Sequence, residues 1–310
     1  MFYSNGDIYE GEFKNDLMEG KGVFTSPNGE KYIGEFKKNL KDGKGQYIYG
    51  NGDKYIGYFK NDLKEGQGIM YYQNQDRYEG SYKNGKREGH GIYYYKNGSK
   101  YEGEYVGGIK EGKGILYYND GTRYEGDFKK NIKEGKGIIY YNNGDVLEGD
   151  FYKDKPNGKG VYKYSDGEKY EGFFKDGIRE GFGQYYYNNG DKYEGEFKNG
   201  IKEGKGKIFF ANGDRFEGEF INNVREGLGK IYQANGKMFE IMFINDEPVE
   251  EIDPKKNLVS KAGNDNNEKK KVFNEVKKIK KKTDLNDAKG YKKNILGKIN
   301  YNKYYFFQFL

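Results

Sequence analysis

The sequence of 310 residues contains no cysteine and only one histidine. The absence of cysteine excludes a disulfide framework, a thiolate metal site and palmitoylation. His90 has no second histidine with which to form a catalytic dyad or a metal site, so we expect it at the surface. No apolar run approaches the length of a membrane span, and the opening residues match neither a signal peptide nor a myristoylation signal. We therefore expect a cytoplasmic protein.

Glycine and tyrosine are abundant, with 49 and 34 residues, and they recur with a period of 23 residues. Nearly every unit opens on an aromatic residue, has glycine two positions later and a second aromatic two positions after that; Leu147 replaces the first aromatic in one unit, and the glycine is absent after Phe239. The first positions are Tyr9, Tyr32, Tyr55, Tyr78, Tyr101, Tyr124, Leu147, Tyr170, Tyr193, Phe216 and Phe239. A period without insertion or deletion over this length indicates a repeat array.

Each unit has the pattern of a β-hairpin. Tyr9, Gly11 and Phe13 alternate with acidic residues, so they share the buried face of one strand. A second strand follows a polar turn at residues 14–19, and Asn-Gly links such as Asn28-Gly29 join successive units. Asn-Gly is a strong hairpin signal, and we expect both of its residues to take positive φ. Because the strand glycines face the same way as the aromatics, we also expect a ring to lie over each glycine.

These patterns predict an all-β fold, an elongated single-sheet antiparallel β-meander of about ten 23-residue hairpin repeats. Residues 1–8 form a half repeat, residues 9–238 the ten repeats and residues 239–252 a partial repeat. Residues 253–310 form a Lys-rich tail that we expect to be largely disordered or partly helical.

The repeat resembles a known family. The run from Tyr193 to Phe197, followed by Asn-Gly-Ile-Lys-Glu-Gly-Lys-Gly and a strand ending in Asn-Gly-Asp, is similar to the MORN repeat, the membrane occupation and recognition nexus. This chain has Phe or Tyr where Trp is frequent, Glu19 where His or Asn is common, and Gln75 in place of one turn glycine. The resemblance implies a protein-binding scaffold, as in radial-spoke head components and junctophilins, and its name implies membrane contact.

Charge is unevenly distributed between the repeats and the tail. Residues 253–310 contain 16 Lys and 6 acidic residues, a net charge of +10, whereas the other residues contain 39 basic and 43 acidic side chains, a net charge of −4. An acidic repeat array disfavours nucleic-acid binding, which requires a basic surface. The tail is either a solvated segment, a docking helix or a basic amphipathic helix that contacts anionic phospholipid. The candidate membrane-contact residues are Lys269, Lys270, Lys271, Phe273, Lys277, Lys278, Ile279, Lys280, Lys281 and Lys282.

The pattern contains no catalytic, cofactor-binding or metal-binding candidates. Carboxylates recur in every unit of a regular array, whereas a catalytic pair needs two carboxyl groups in different environments. The Gly-Lys-Gly runs lack the spacing of a phosphate loop, and the Asp-containing turns lack that of a calcium loop. We therefore predict a protein that is not an enzyme and binds no cofactor.

One row of aromatic residues alternates out of phase with the core and is predicted to point away from it. Such a row either stabilises the sheet through cross-strand contacts or forms a stripe that binds a partner. The candidate partner-binding stripe consists of Tyr71, Tyr94, Tyr117, Tyr140, Tyr186, Phe209 and Tyr232.

Together these features predict a noncatalytic scaffold for protein–protein interaction at a membrane-associated cytoskeletal or ciliary structure. Two alternatives remain open, a phospholipid-binding membrane tether and a regulatory subunit of an enzyme supplied in trans. Unpaired strand edges at the two ends of the sheet would also allow copies of the chain to associate end to end.

Overall fold

A computed structural model describes residues 1–251, and these residues form 22 β-strands without a helix. Within each repeat a strand of 7 residues is followed by one of 9 residues. The strands are β1 Ile8–Lys14, β2 Leu17–Thr25, β3 Lys31–Lys37, β4 Leu40–Ile48, β5 Lys54–Lys60, β6 Leu63–Tyr71, β7 Arg77–Lys83, β8 Lys86–Tyr94, β9 Lys100–Val106, β10 Ile109–Tyr117, β11 Arg123–Lys129, β12 Ile132–Tyr140, β13 Val146–Tyr152, β14 Lys155–Lys163, β15 Lys169–Lys175, β16 Ile178–Tyr186, β17 Lys192–Lys198, β18 Ile201–Phe209, β19 Arg215–Ile221, β20 Val224–Tyr232, β21 Met238–Ile244 and β22 Glu247–Glu251.

All 22 strands belong to one antiparallel sheet, and strands that are neighbours in sequence pair with each other. The register repeats from hairpin to hairpin, with glycine directly opposite glycine, as in Gly11 with Gly22 and Gly22 with Gly34. A row of glycines therefore crosses the sheet at the same height in successive strands. The predicted fold class is confirmed.

The sequence predicts the tight hairpin turn at the Asn-Gly links between repeats, whereas in the structure the tight turn lies inside each repeat. The tight two-residue turn lies inside the repeat, where Asn15 and Asp16 have φ of 51° and 60°, as a type I′ turn requires. The Asn-Gly links are five-residue loops in which glycine alone has positive φ, 87° at Gly29, and its N–H donates to the Ser26 carbonyl at 3.0 Å. This geometry is a type I turn followed by a left-handed residue. The expectation of positive φ at both Asn and Gly is wrong, and residues 17–19 belong to β2.

Gln75 is the one turn position where the usual glycine is missing, and it adopts φ of +73°. A side chain in this left-handed conformation costs about 1–2 kcal/mol, partly offset by the lower entropy of the unfolded non-glycine chain. We expect Gln75→Gly to raise the free energy of unfolding by up to about 1 kcal/mol, measured by urea denaturation. Gly98→Gln, which makes the reverse change one repeat later, should lower it, and equal denaturation midpoints for both variants would contradict this account.

The core is a column formed by the first aromatic of each repeat. Tyr124 is fully buried and its hydroxyl donates to the Asp127 carbonyl at 3.0 Å. Its ring covers Gly126 and Gly137, so that a Cβ at either glycine would overlap the ring. The predicted cover is confirmed in the repeats that open on an aromatic residue, and it comes from that residue; in the repeat of Leu147 no ring covers Gly149, and the ring near Gly160 is Phe174 of the next repeat. We call the side of the sheet that carries these rings the core face.

Edge-to-face contacts connect the core rings from repeat to repeat. Tyr9 contacts Phe13 of its own strand at 5.0 Å between ring centroids and Phe36 of the next repeat at 5.1 Å, with interplanar angles of 89° and 83°. The same pair of contacts recurs along the sheet and is interrupted at Leu147, which has no ring. Each repeat is thus stabilised mainly by its neighbours, as a repeat array requires.

Candidate protein-binding surface

The predicted aromatic stripe lies on the face opposite the core, and all seven of its rings are half-buried. Each ring lies beside the cation directly across from it on the preceding strand. Tyr117, for example, pairs with Lys100, whose Nζ lies 4.3 Å from the ring centroid. The seven cation-to-centroid distances lie between 4.1 and 4.8 Å and join Lys54 to Tyr71, Arg77 to Tyr94, Lys100 to Tyr117, Arg123 to Tyr140, Lys169 to Tyr186, Lys192 to Phe209 and Arg215 to Tyr232.

Six of the seven cations of this stripe, all but Lys54, form an ion pair with a glutamate two residues further along the same strand. Lys100 Nζ lies 3.1 Å from Glu102, two residues along the same strand, and Lys169 makes the same ion pair with Glu171 at 2.8 Å. Ion pairs and cation–π contacts at such exposed positions each contribute about 0.5–1 kcal/mol. The stripe therefore has a structural role across the strands, and a partner that stacked on these rings would have to replace a cation already in place.

A groove crosses strands β10–β16 on the same face, next to the stripe, with a volume of about 790 Å³. Its floor is the backbone of the glycine row, including Gly137, Gly160 and Gly183. Ile138 and Val161 lie along one wall and Phe173 and Phe182 along the other. The groove is concave and offers apolar side chains to a ligand, as binding sites ordinarily do.

Phe173 on β15 and Phe182 on β16 are the most unusual residues of this groove. Their exposed fractions are 43% and 57%, although aromatic side chains are ordinarily covered. In most repeats the position of Phe173 holds Asp or Glu, and the position of Phe182 holds Lys. Of the ten repeats, only the one that contains Phe173 and Phe182 has apolar side chains at both positions. Sequence reasoning missed this pair, which an alignment of the repeats position by position would have revealed.

In the neighbouring repeats these positions form cross-strand ion pairs. Lys113 Nζ lies 2.6 Å from Asp127, which is directly opposite on the next strand. Phe173 and Phe182 each occupy a position where another repeat has one member of such an ion pair. Lys159 faces Phe173, with its Nζ 5.6 Å from the ring centroid, and Glu196 faces Phe182. Both charged side chains are exposed, and within residues 1–251 neither forms an ion pair.

The core face carries a second set of charges that the sequence placed in the polar turns. Lys110 and Lys202 lie on the core face of the second strand, between aromatic rings. Lys202 Nζ is 5.0 Å from the centroids of both Tyr187 and Tyr193. Burial is the main cause that lowers the pKa of Lys110 and of Lys202 to about 8, and neighbouring arginines add to it. These cations belong to the core packing. They occupy the repeat position of Met18, whose placement in a polar turn at residues 14–19 is wrong because the tight turn ends at Asp16.

The described residues provide no evident catalytic or metal-binding constellation. Within residues 1–251 no three His, Asp or Glu side chains are grouped so as to hold a metal ion. His90 is exposed and lies opposite Glu104 in the register. In the same part of the chain no helix has the length and apolar character of a membrane span. The candidate membrane-contact residues at positions 269–282 lie outside the described residues.

Two solved protein domains are similar to this chain at low sequence identity. No curated protein sequence matches the chain. The TCP10 domain of Danio rerio CPAP is similar in structure at 12% identity, with 70% of this chain and 96% of that domain covered and a TM-score of 0.39. The Drosophila melanogaster SAS-4 (dCPAP) TCP domain in complex with a proline-rich motif of Ana2 is similar at 22% identity, with 55% of this chain and 90% of that one covered and a TM-score of 0.36.

The family comparison identifies the repeats themselves. The model described as "MORN repeat" matches ten times in succession, at residues 9–31, 32–54, 55–77, 78–100, 101–123, 124–146, 148–169, 170–192, 193–215 and 216–238. Since these matches cover most of the sequence and each contains one glycine-paired hairpin, the chain belongs to the MORN repeat family.

Proposed function

We propose that this chain is a noncatalytic scaffold that binds protein partners in the groove opposite its core. The observation that carries the proposal is the exposure of Phe173 and Phe182 in a groove where other repeats hold ion pairs. Membership of a repeat family that is typically noncatalytic supports the same conclusion. The stripe from Tyr71 to Tyr232 then forms a structural border of the groove, because each of its rings already holds a cation.

The energetics favour a protein as the ligand. Aromatic side chains dominate the binding energy of protein interfaces, and burial of apolar surface contributes about 25 cal/mol per Å². Exposure of two phenylalanine rings to water is unfavourable in the free protein. A partner that covered the rings would remove this cost. The glycine floor also lets a ligand approach the backbone of the sheet closely.

The proposal is tested by proximity labelling from the full-length protein in its native cell. We expect the double substitution Ile138→Lys with Val161→Lys to remove a distinct set of labelled proteins, because it charges the groove wall. Lysine already occupies the equivalent positions at Lys207 and Lys230, so the sheet tolerates it.

The matched control is Ile33→Lys with Ile56→Lys. These residues occupy the same row of the sheet and are 41% and 39% exposed, but they lie outside the groove. This control should keep the labelled proteins. Identical labelling by wild type, the groove variant and the control would contradict the proposal.

The location of the scaffold is a separate proposal that depends on the sequence of the tail. The net charge of +10 in residues 253–310 favours attachment to an anionic membrane or a membrane-associated cytoskeletal structure. Sedimentation with phosphatidylserine vesicles should be lost when the lysines of residues 269–282 are changed to glutamine in the full-length protein. Unchanged sedimentation would contradict the assignment of lipid contact to residues 269–282. End-to-end association of copies and regulation of an enzyme in trans are compatible with the same scaffold.

A further inference from the structure

We infer that the hairpin of Phe173 and Phe182 recognises an extended segment of a partner protein that carries an acidic and a basic residue on either side of an apolar one. This inference rests on the proposed function and names the chemistry of its ligand. It depends on four neighbouring side chains, Lys159, Phe173, Phe182 and Glu196, which lie on the consecutive strands β14, β15, β16 and β17.

The charges define the two ends of the ligand. In the two preceding repeats lysine and a carboxylate face each other across the strands and form an ion pair, Lys113 with Asp127 and Lys136 with Asp150. At the phenylalanine hairpin the row reads cation, ring, ring, carboxylate, and within residues 1–251 neither Lys159 nor Glu196 forms an ion pair. An acidic side chain of the ligand would pair with Lys159 and a basic one with Glu196. Complementary charges at an interface rim set specificity and register more than affinity.

The spacing of the strands defines the length of the ligand. Three strand-to-strand steps of about 4.8 Å separate Lys159 from Glu196, a distance of about 14 Å. An extended peptide advances about 3.3 Å per residue, so the acidic and basic residues of the ligand should be about four positions apart. The groove runs across the strands, and the peptide would therefore lie across β14–β17 with its apolar residue between the two phenylalanines.

A backbone donor at the same place favours a peptide over a small apolar ligand. In the two preceding repeats the carboxylate of the first strand accepts the bulge N–H of the second, as Asp127 accepts from Lys136 at 2.9 Å and Asp150 from Lys159 at 3.1 Å. The side chain of Phe173 has no oxygen with which to accept from the N–H of Phe182 at the same register. The N–H of Phe182 is therefore positioned to donate to a carbonyl of the ligand.

Selection from a displayed peptide library on the full-length protein tests the inference. We expect wild type to enrich peptides with an acidic and a basic residue about four positions apart and an apolar residue between them. The double substitution Phe173→Glu with Phe182→Lys installs the pair that other repeats carry, so folding is preserved. It should weaken a selected peptide by at least about 10-fold, the loss expected for removal of aromatic hot spots.

Single charge reversals at the flanks provide a readout that a merely structural role would not change. Lys159→Glu should enrich peptides with two basic residues, and Glu196→Lys should enrich peptides with two acidic residues. Lys21→Glu on β2 makes the same charge change in the same row, eight strands away from the groove, and should select the wild-type peptides. Enrichment that ignores charge, or equal binding to the variant Phe173→Glu with Phe182→Lys, would overturn the inference.

Failure of this inference is distinguishable from failure of the proposed function. If Ile138→Lys with Val161→Lys removes labelled proteins while the phenylalanine variant keeps both the labelling and the peptides, the groove binds partners by other residues and the inference is wrong. If neither variant changes the labelling, both proposals are wrong.

Discussion

Replacement of Tyr124 by alanine should lower the free energy of local unfolding by about 3–5 kcal/mol, the range for removal of a buried aromatic side chain. The Tyr124 ring is fully buried, covers Gly126 and Gly137, and contacts Phe128 and Phe151 edge to face at 5.3 and 5.0 Å. Alanine would remove both ring contacts and expose the backbone of the two glycines. It would also leave the carbonyl of Asp127 without the hydroxyl that donates to it.

Hydrogen exchange measured by mass spectrometry is the appropriate measurement, because a long array does not unfold as one unit. Protection should fall in β10–β14 and remain unchanged in β1–β4, which serves as an internal control. Tyr124→Leu is the matched substitution, since Leu147 occupies the same position one repeat later and the sheet continues through it. We expect leucine to cost roughly half as much as alanine. Uniform loss of protection over the whole sheet would contradict the nearest-neighbour stability of the array.

The repeat period made most of this fold predictable from the sequence. Alternation within the Tyr-Glu-Gly-Glu-aromatic run fixed the phase of each first strand, so the burial of Tyr9 and its equivalents followed directly. The strand glycines lie on the same face as the aromatic residues, which predicted that a ring would cover them. Ten copies of one pattern averaged out the local ambiguities that limit the interpretation of a single hairpin.

The turns were harder to predict because two motifs competed for the same signal. Asn-Gly marks a hairpin in general, but here it follows a type I turn, and the type I′ position is filled by pairs such as Asn15 and Asp16. Asn and Asp tolerate the left-handed conformation better than other non-glycine residues. Because the tight turn ends earlier than expected, Lys110 and Lys202 lie in the second strand of their hairpins, on the core face.

The repeat pattern that made the fold predictable did not indicate the candidate site. A repeat pattern describes what its units share, whereas a binding site on a regular sheet must be made from what one unit does not share. Phe173 and Phe182 differ from their equivalents, and the structure shows that the difference is exposed and leaves Lys159 and Glu196 unpaired. The aromatic stripe was more conspicuous in the sequence, but its rings were already occupied by cations.

Alkaline pH should unfold the sheet in a transition well above pH 10. Burial raises the pKa of Tyr78 and of Tyr170 to about 12, although Arg87 and Arg179 oppose the change, and it raises the pKa of Tyr101 and Tyr193 further still. A tyrosine in the unfolded chain has a pKa near 10. Above pH 10 the unfolded state therefore binds fewer protons than the folded state, and stability falls as pH rises through the folded pKa values. Because eight of the ten repeats have a buried tyrosine at the first position, the losses add along the array.

The half-buried lysines change stability in the opposite direction, over a lower pH interval. Lys110 and Lys202 have pKa values of about 8 in the folded sheet, below the ordinary value of 10.5, so the unfolded state binds more protons between pH 8 and 10.5. Stability should therefore rise slightly through this interval before the tyrosine effect dominates. Lys202→Met should remove part of that rise and leave the alkaline transition in place.

Circular dichroism and tyrosinate absorbance, recorded together during an alkaline titration, separate this mechanism from independent titration of surface groups. If burial keeps the core tyrosines protonated, their ionisation and the loss of β-structure must occur in one pH interval. The reason is that water cannot solvate a charged tyrosine ring inside the intact sheet. Core ionisation near pH 10 with the sheet preserved would show that water reaches the rings. Tyr124→Leu removes one such tyrosine, so it should reduce the number of protons released in the transition as well as the stability at neutral pH.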